Sequence, residues 1–269
     1  MHPHAMTSSP VLCSLDAHGV AQLTFNRPQV NNAYDGETLE TLLTHLQQLA
    51  QDANCRMVVL SGAGKHFQAG ADLQWIQRIA NASAEENIHA SRQTALAVHR
   101  LNHCPKPTVA LVQGACFGGG TGIAAACDVV IAADNASFSI AETRWGLMAG
   151  IILPQLADAI GVRQLRRYAQ TGERFDAHEA KRIGLVHSVV SIDALEAAGQ
   201  RMVQALLANA PQANAQTKAR ILHSAWGQLS EAQLDTLIQE HARKRQSAEA
   251  REGLASFIEK RAAAWNPFR

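Results

Sequence analysis

A glycine-rich segment directly follows one of the apolar runs of this chain. Residues 108–112 read Thr-Val-Ala-Leu-Val, as a buried strand would, and residues 114–122 continue as Gly-Ala-Cys-Phe-Gly-Gly-Gly-Thr-Gly before a short helical pattern. Glycines at such a junction let backbone N–H groups face a ligand, and a helix N-terminus attracts an anion. The segment therefore predicts a site for a phosphate or an oxyanion, although close helix–strand packing alone would also require glycine.

A nucleotide is the less favoured ligand. Residues 120–125 match the GxGxxA pattern of dinucleotide-binding folds, but their helix must end before the next strand begins at Asp128. That leaves room for about two turns, whereas the dinucleotide unit needs about 30 residues in all. Residues 62–65 read Gly-Ala-Gly-Lys like the end of a P-loop, but no Ser or Thr follows the lysine.

A second junction of the same kind lies earlier in the chain. The apolar run at residues 57–60 leads into Phe-Gln-Ala-Gly-Ala-Asp-Leu at residues 67–73. Two such junctions can direct two backbone N–H donors at one oxygen and so form an oxyanion hole, in which losing one donor costs roughly 3–4 kcal/mol of barrier. Two tight turns without a function are the alternative.

Strand and helix patterns alternate through residue 140. An apolar–polar alternation at residues 10–25, with a turn at Asp16–Gly19, predicts a hairpin. Helical spacing is found at 35–50 and 85–101, and further strands are expected at 57–60, 108–112, 128–133 and 137–140. Residues 151–265 are helical in pattern apart from an expected strand at 186–190. We therefore predict an α/β core at residues 10–195 and a helical C-terminal extension at residues 196–269.

Composition and charge narrow the function classes. The 24 basic and 23 acidic residues give a net charge of +1, which provides no long-range field for nucleic acid or an anionic membrane. No apolar run approaches the roughly 20 residues that span a bilayer, and the N-terminal residues do not resemble a signal peptide. Five cysteines without CxxC spacing predict reduced thiols, a cytoplasmic location and no metal site.

Both junctions and four further segments resemble the crotonase superfamily of enoyl-CoA hydratases and isomerases. The segments fall in the family's order over nearly the whole chain: LTFNRP (23–28), HFQAGADL (66–73), KPTVALVQG (106–114), GACFGGGTGIAAACD (114–128), SFSIAETRWGL (137–147) and EGLASFIEKRAAAW (252–265). The resemblance implies a spiral of short β-β-α units, with a helical C-terminal region that completes a homotrimer, often paired into a homohexamer. It also implies an acyl-CoA substrate, with coenzyme A entering as part of the thioester and no permanently bound cofactor.

The resemblance also implies where the thioester binds. Its carbonyl would accept hydrogen bonds from the N–H groups of Ala71 and Gly119, with Gly118 beside the acyl group. The adenine and pantetheine would lie along residues 69–73, and the residues implied there are Ala69, Ala71, Asp72 and Leu73. The CoA phosphates would meet Arg27, and the tail would supply Phe257 and Lys260, from this subunit or a neighbouring one. An isolated Arg or Lys is, however, more often a solvated surface charge.

Glu142 is the candidate catalytic residue. Hydratases of the family typically use two glutamates; Glu142 matches the second, and Gly122 stands where the first would be. The alternation of residues 137–140 puts Glu142 in phase with two apolar side chains, where burial would raise the pKa of its carboxyl and suit it to proton transfer. The alternative is a surface glutamate that caps a short helix at residues 143–147 and pairs with Arg144.

The missing glutamate bears on the substrate. Glycine at position 122 is expected to free space beside the β-carbon of the acyl group and so to favour a branched or bulky chain. The segments GADLQW (70–75), CFGGGTG (116–122), AETRWGLMAGI (141–151) and RRYAQTGERFDA (166–177) resemble bacterial methylglutaconyl-CoA and isohexenylglutaconyl-CoA hydratases of leucine and acyclic-terpenoid breakdown. Arg144 is the candidate for a distal substrate carboxylate, with Arg78 and His66 as rivals.

Other functions remain open on the sequence. A Δ3,Δ2-enoyl-CoA isomerase needs only one carboxylate, and a decarboxylase is a further alternative. A dehalogenase of the family would place an aspartate near Gly150, where none is found. A non-catalytic relative that binds RNA is disfavoured by the near-zero net charge and the 5% aromatic content.

Overall fold

Two β-sheets form the scaffold of this protein, whose computed structural model describes residues 9–226 and 230–264, with only the backbone described at 224–226. The described strands are β1 (Val11–Leu15), β2 (Val20–Phe25), β3 (Met57–Gly62), β4 (Thr108–Val112), β5 (Ala115–Phe117), β6 (Val129–Ala133), β7 (Ser137–Ser139), β8 (Phe175–Asp176) and β9 (Ser188–Val190). The larger sheet has the order β1-β2-β3-β4-β6-β9, and the smaller one has the order β5-β7-β8.

The larger sheet is parallel apart from its first strand pair. β1 and β2 form the expected antiparallel hairpin, and the Asp16 carboxylate accepts hydrogen bonds from the N–H groups of His18 and Val20 in its turn. From β2 onward each neighbouring pair is parallel. Every residue of β4 is buried, as expected for a central parallel strand covered on both faces.

The smaller sheet includes two strands that sequence patterns did not predict: β5, and β8 within a region expected to be helical. β5 lies inside the glycine-rich segment and pairs in parallel with β7, while β7 pairs antiparallel with the two-residue β8. A hydrogen bond of 2.8 Å from the N–H of Gly118 to the carbonyl of Ser139 extends the β5–β7 pairing. This sheet therefore brings the end of the glycine-rich segment beside the chain that leads to Glu142.

Helices surround the two sheets. They are α1 (Gly36–Gln51), α2 (Leu73–Ala80), α3 (Ala84–Asn102), α4 (Gly119–Ala125), α5 (Leu153–Thr171), α6 (Ala177–Ile183), α7 (Leu195–Leu207), α8 (Pro211–Trp226), α9 (Glu231–Arg245) and α10 (Ala248–Ile258). Asp35 caps α1 as expected, and Asp72 caps α2, which was not predicted. α5 is bent at Gly161, whose φ of +71° lies outside helical geometry.

The C-terminal helices share the core of the rest of the chain. α7 packs on β4 and β6, α9 packs on α3, and α10 packs on α2 and on the 3-10 turn at Glu142–Trp145. Ile238 and Leu254 belong to the same hydrophobic cluster as the strands. The helical tail is thus as expected, and it folds onto its own chain, while the division at residues 195/196 stays a prediction. None of the helices in the described ranges has the length and hydropathy that crossing a bilayer requires.

Candidate active site

Gln68 joins the two strand-to-helix junctions. Its backbone N–H donates to the carbonyl of Ala115, and its carbonyl accepts from the N–H of Phe117, both at 3.0 Å. Its buried side-chain Oε1 accepts from the N–H of Gly70, also at 3.0 Å. The loop at residues 67–73 and the glycine-rich segment therefore lie side by side, as an oxyanion hole requires.

The two amides expected to form that hole are unpaired within the described part of the chain. Their neighbours are engaged: the N–H of Asp72 donates to the carbonyl of Tyr34, and the N–H of Gly118 donates to Ser139. The N–H groups of Ala71 and Gly119 donate to no protein acceptor in residues 9–226 and 230–264. The arrangement suits two donors to one oxygen, and the oxyanion role of Ala71 and Gly119 stays a prediction.

Close packing accounts for the glycines as well. A Cβ atom on Gly119 would lie 2.6 Å from Cε1 and 2.8 Å from the hydroxyl of Tyr34. A Cβ atom on Gly120 would lie 2.4 Å from both the backbone oxygen and Oε1 of Gln68. The structure thus confirms that close packing requires these glycines, whereas a ligand at the Gly119 amide stays a prediction.

Glu142 begins the 3-10 turn at Glu142–Trp145, directly after β7 and Ala141. Its Oε1 lies 3.0 Å from the position of a Cβ on Gly118, so the carboxylate faces the start of α4. Its Oε2 is buried and has no hydrogen-bond partner among the described residues, although the residue as a whole is half-buried. Burial raises the pKa of the carboxyl to about 7, against the opposing hydrogen bond from its own N–H.

The surface alternative for Glu142 is wrong. The turn has no side-chain cap, and no ion pair joins Glu142 to Arg144 in the described residues. Arg144 is exposed, and its side chain lies over Gly172, whose Cβ would be 2.9 Å from the Arg144 Nε. Its role as a binder of a distal carboxylate stays a prediction, without support from this geometry. Of its rivals, Arg78 is exposed, and His66 accepts a hydrogen bond from the N–H of Ala115.

The expectation of free space at Gly122 is wrong. A Cβ there would lie 2.3 Å from Cγ2 and 2.6 Å from Cβ of Ile152, which is 1% exposed. Ile152 belongs to the turn at Gly150–Ile152 before α5 and fills the volume beside α4. The glycine thus accommodates the packing of one apolar side chain, and substrate contact by Gly122 stays a prediction.

Arg27, expected to meet a CoA phosphate, is engaged by two carboxylates. Its Nη2 lies 3.0 Å from Asp35 and 3.3 Å from Asp72, and its Nη1 donates to the carbonyl of Ala33. The two aspartates cap α1 and α2, so the guanidinium ties both helix starts together. Phosphate binding by Arg27 stays a prediction and would compete with these pairs. Along residues 69–73, the N–H of Ala69 donates to the carbonyl of Asn31, and Leu73 begins α2.

The tail residues of the expected CoA site lie at the end of α10. The Phe257 ring packs edge-on against Trp145 of the same chain, with 4.5 Å between ring centroids, and Phe257 remains 44% exposed. Lys260 is exposed just beyond α10, with a φ of +53°. The tail thus reaches the turn that begins with Glu142, while contacts of these two residues with CoA stay predictions.

Two residues near the site were missed from the sequence. Tyr34 packs against Gly119 and, with 5.9 Å between ring centroids, against Trp75. Arg245, which ends α9, is 1% exposed and lies over Trp75. Arg245 stands in the polar run Glu-His-Ala-Arg-Lys-Arg-Gln at residues 240–246, which reads as a solvated surface, so no local signal could have found it.

No group of three or more His, Cys, Asp or Glu side chains is arranged to hold a metal ion in the described ranges. All five cysteines are free thiols. Burial raises the pKa of the Cys55 thiol to about 11 and that of Cys116 and Cys127 further, so these thiols stay protonated near neutral pH.

Comparison with known proteins agrees with the family resemblance of the sequence segments and extends it over nearly the whole chain. The enoyl-CoA hydratase/isomerase family matches residues 16–267. The chain is 30% identical over 270 residues to mevalonyl-coenzyme A hydratase sidH of Aspergillus fumigatus, covering 99% of this chain and 97% of that protein. It is also similar to two solved structures, which share its crotonase fold. An enoyl-CoA hydratase from Shewanella pealeana has 37% identity and a TM-score of 0.78 over 95% of this chain and 96% of that one. Pseudomonas aeruginosa AtuE has 38% identity and a TM-score of 0.78 over 95% of this chain and 99% of that one. The chain therefore belongs to the enoyl-CoA hydratase/isomerase family.

Proposed function

We propose that this protein is a lyase that adds water across the 2,3 double bond of a branched enoyl-CoA of the 3-methylglutaconyl or isohexenylglutaconyl type. The observation that carries the proposal is the buried, unpaired Oε2 of Glu142, on a carboxyl group that faces Gly118 beside two unpaired backbone amides. Such a reaction would belong to leucine or acyclic-terpenoid breakdown.

In the proposed mechanism, Glu142 acts first as a base and then as an acid. Its carboxylate takes a proton from water as the water oxygen attacks the β-carbon. The electrons of the double bond move to the thioester oxygen, and the enolate accepts hydrogen bonds from the N–H groups of Ala71 and Gly119. The protonated Glu142 then gives its proton to the α-carbon, so that one water is added in all. A pKa of about 7 suits a group that must both accept and return a proton.

The branched acyl group rests on two supports. The segments around residues 70–75, 116–122, 141–151 and 166–177 resemble hydratases of glutaconyl thioesters. One relative is named for the mevalonyl thioester, whose third carbon is also branched. The absence of a glutamate at Gly122 no longer supports a larger acyl pocket, because Ile152 fills that space.

A Δ3,Δ2-enoyl-CoA isomerase is the second candidate. A single buried carboxyl favours it, since shifting a double bond needs only one group that moves a proton between two carbons. The family itself joins hydratases and isomerases. The two reactions differ in product mass, which makes them simple to separate.

We further propose a cytoplasmic homotrimer or homohexamer that uses coenzyme A only as part of its substrate and binds neither nucleic acid nor a membrane. Large apolar side chains that remain exposed on the single chain support assembly; they are Val162, Ile221, Phe257 and Ile258, which are 66%, 60%, 44% and 49% exposed. Size-exclusion chromatography with light scattering would measure the molecular mass and so the number of subunits. A monomeric mass would contradict the proposed assembly.

The function is tested by mass spectrometry of three thioesters incubated with enzyme: 3-methylglutaconyl-CoA, crotonyl-CoA and a 3-enoyl-CoA. Wild-type protein should add one water to 3-methylglutaconyl-CoA, and Glu142→Ala and Glu142→Gln should not. The exposed Glu37→Gln serves as the matched control, which should hydrate like wild type. A shifted double bond with no change of mass would replace the hydratase by the isomerase.

A further inference from the structure

Arg245 is a buried cation without a counter-charge among the described residues. It is 1% exposed, and no carboxylate of the described chain forms an ion pair with it. Its Nη2 lies 3.1 Å from Nδ1 of His241, and its guanidinium carbon lies 5.5 Å from the centre of the Trp75 ring. Its Nη1 is buried with no hydrogen-bond partner in the described residues. A buried charge left in this state is costly, and proteins ordinarily pair it.

The groups around Arg245 cannot supply that counter-charge. Burial, helped by the charge of Arg245, lowers the pKa of His241 to about 3, so the imidazole is neutral, and its Nδ1 also lies 3.1 Å from the Ser91 hydroxyl. The end of α9 contributes only the partial negative charge of a helix C-terminus. Burial lowers the pKa of Arg245 to about 10, which still leaves it charged at neutral pH.

Arg245 is linked to the candidate active site through Trp75 and Tyr34. Trp75 contacts both Arg245 and Tyr34, and the Tyr34 hydroxyl lies 2.8 Å from the position of a Cβ on Gly119. Burial raises the pKa of Tyr34; the charge of Arg245 lowers it and that of Glu142 raises it. Tyr34 therefore lies close enough to interact with both charges. α9 also packs on the turn at Gly150–Ile152. A continuous series of contacts therefore joins Gly119, Tyr34, Trp75 and Arg245.

We propose that Arg245 binds the terminal carboxylate of a dicarboxylic acyl thioester and selects it over a thioester that ends in a methyl group. The inference rests on the proposed function, because it takes the thioester carbonyl to lie at Ala71 and Gly119. The unpartnered Nη1 supplies a donor, and a carboxylate accepts from a guanidinium at two oxygens. The substrate would complete the charge balance that the described chain leaves open, which makes Arg245 a better candidate for this contact than the exposed Arg144.

The test compares substrates that differ only at the far end of the acyl chain. Hydration of 3-methylglutaconyl-CoA and of 3-methyl-2-pentenoyl-CoA is to be measured for wild type, Arg245→Met and Arg245→Lys. The exposed Arg243→Met on the same helix is the control. Arg245→Met should lower kcat/KM for the carboxylate substrate by about 100-fold, the scale for truncating one partner of a buried charge pair. For the substrate that ends in a methyl group, Arg245→Met should keep kcat/KM within about threefold of wild type. The Arg243→Met control should change kcat/KM for neither substrate. Equal losses on both substrates would make Arg245 a packing residue and overturn the proposal.

A binding measurement separates this proposal from the hydratase reaction. Titration calorimetry with the saturated thioesters 3-methylglutaryl-CoA and 3-methylpentanoyl-CoA needs no turnover. Wild type should bind the carboxylate thioester at least about tenfold more tightly, and Arg245→Met should remove the preference. Equal affinity of wild type for both thioesters would overturn carboxylate recognition, whatever reaction the enzyme performs. If the protein prefers the carboxylate thioester but hydrates neither substrate, the role of Arg245 is supported and the hydratase proposal is contradicted.

Discussion

Ile152 occupies the place of a side chain at Gly122: its Cγ2 lies 2.3 Å from where a Cβ on that glycine would be. Both residues are buried, Gly122 on α4 and Ile152 in the turn that leads into α5. A glutamate at position 122 could not coexist with this packing. The contact between α4 and the chain before α5 therefore agrees with the single catalytic carboxyl group proposed for this site.

Gly122→Ala should destabilise the protein by about 1–3 kcal/mol, the usual cost of forcing an extra methyl group into a packed core. This loss should appear as a lower midpoint of urea unfolding, while the dependence of the unfolding free energy on urea concentration stays unchanged. Gly36→Ala is the matched control, because its Cβ would meet only Nε1 of Trp75, at an ordinary 3.5 Å. A stability loss at Gly36 equal to that at Gly122 would contradict the packing explanation.

The rate of hydration should depend on the ionisation of Glu142. The reaction begins with the carboxylate, whose pKa burial raises to about 7, so kcat/KM should fall about tenfold per pH unit below that value and level off above it. Glu142→Gln should lower kcat by about 100-fold or more and abolish this limb of the profile. The pH profile of kcat/KM on the best substrate is the measurement. A wild-type profile that is flat from about pH 5 to about pH 8, across the expected pKa of about 7, would contradict Glu142 as the base.

The same carboxyl should make stability depend on pH. Its pKa is about 7 when folded against an ordinary 4.5, so the folded protein holds the proton more tightly. The contribution is present below pH 4.5 and is lost as pH rises through about 7. Wild type should lose roughly 1–3 kcal/mol across this window relative to Glu142→Gln, a range that allows for the partial exposure of the residue. Urea unfolding of both proteins at several pH values checks this, and parallel curves would contradict it.

Gln68→Met should affect catalysis as well as stability. It removes the Oε1 atom that accepts from the N–H of Gly70, leaving that donor unpaired at a cost of about 1–3 kcal/mol, and it loosens the loop that carries Ala71. We expect kcat to fall by about tenfold. Gln113→Met is the control, since its Nε2 donates to the carbonyls of Gly62 and Gly64, away from the two amides. Equal effects of both variants on kcat would show that Gln68 has no special part in positioning.

Arg27→Met should act through the two helix starts. Loss of the pairs with Asp35 and Asp72 is expected to cost about 1 kcal/mol, at the upper end for ion pairs with partial exposure. If Arg27 is occupied by these pairs, the ratio of kcat/KM between CoA and pantetheine thioesters should change by less than about threefold. The exposed Arg78→Met is the control for removing a positive charge from this region. A selective loss on the CoA thioester would instead support the predicted phosphate contact.

Local patterns were sufficient for several elements around the site, although not for β5 or α2. The hairpin, the helix capped by Asp35, the apolar strand at 108–112 and the helical tail all follow from periodicity and capping chemistry, which act over a few residues. The two junctions could be recognised in the same way, because small residues after a buried strand have a local cause. Phase with the preceding strand made Glu142 a candidate, but it left a surface glutamate equally open, and only the family resemblance favoured a catalytic role.

Tertiary contacts decided what those elements do together. Whether Gly122 leaves a space depends on Ile152, which lies 30 residues away, and the pairing of Arg27 depends on Asp72, which is 45 residues away. Arg245 lies in a polar run of the sequence and is a buried cation because α9 packs on α3 and on the turn at Gly150–Ile152, with the guanidinium over Trp75. A sequence determines periodicity and caps through neighbours along the chain, whereas burial, and with it the pKa of Glu142 and the charge balance at Arg245, depends on residues brought together by folding.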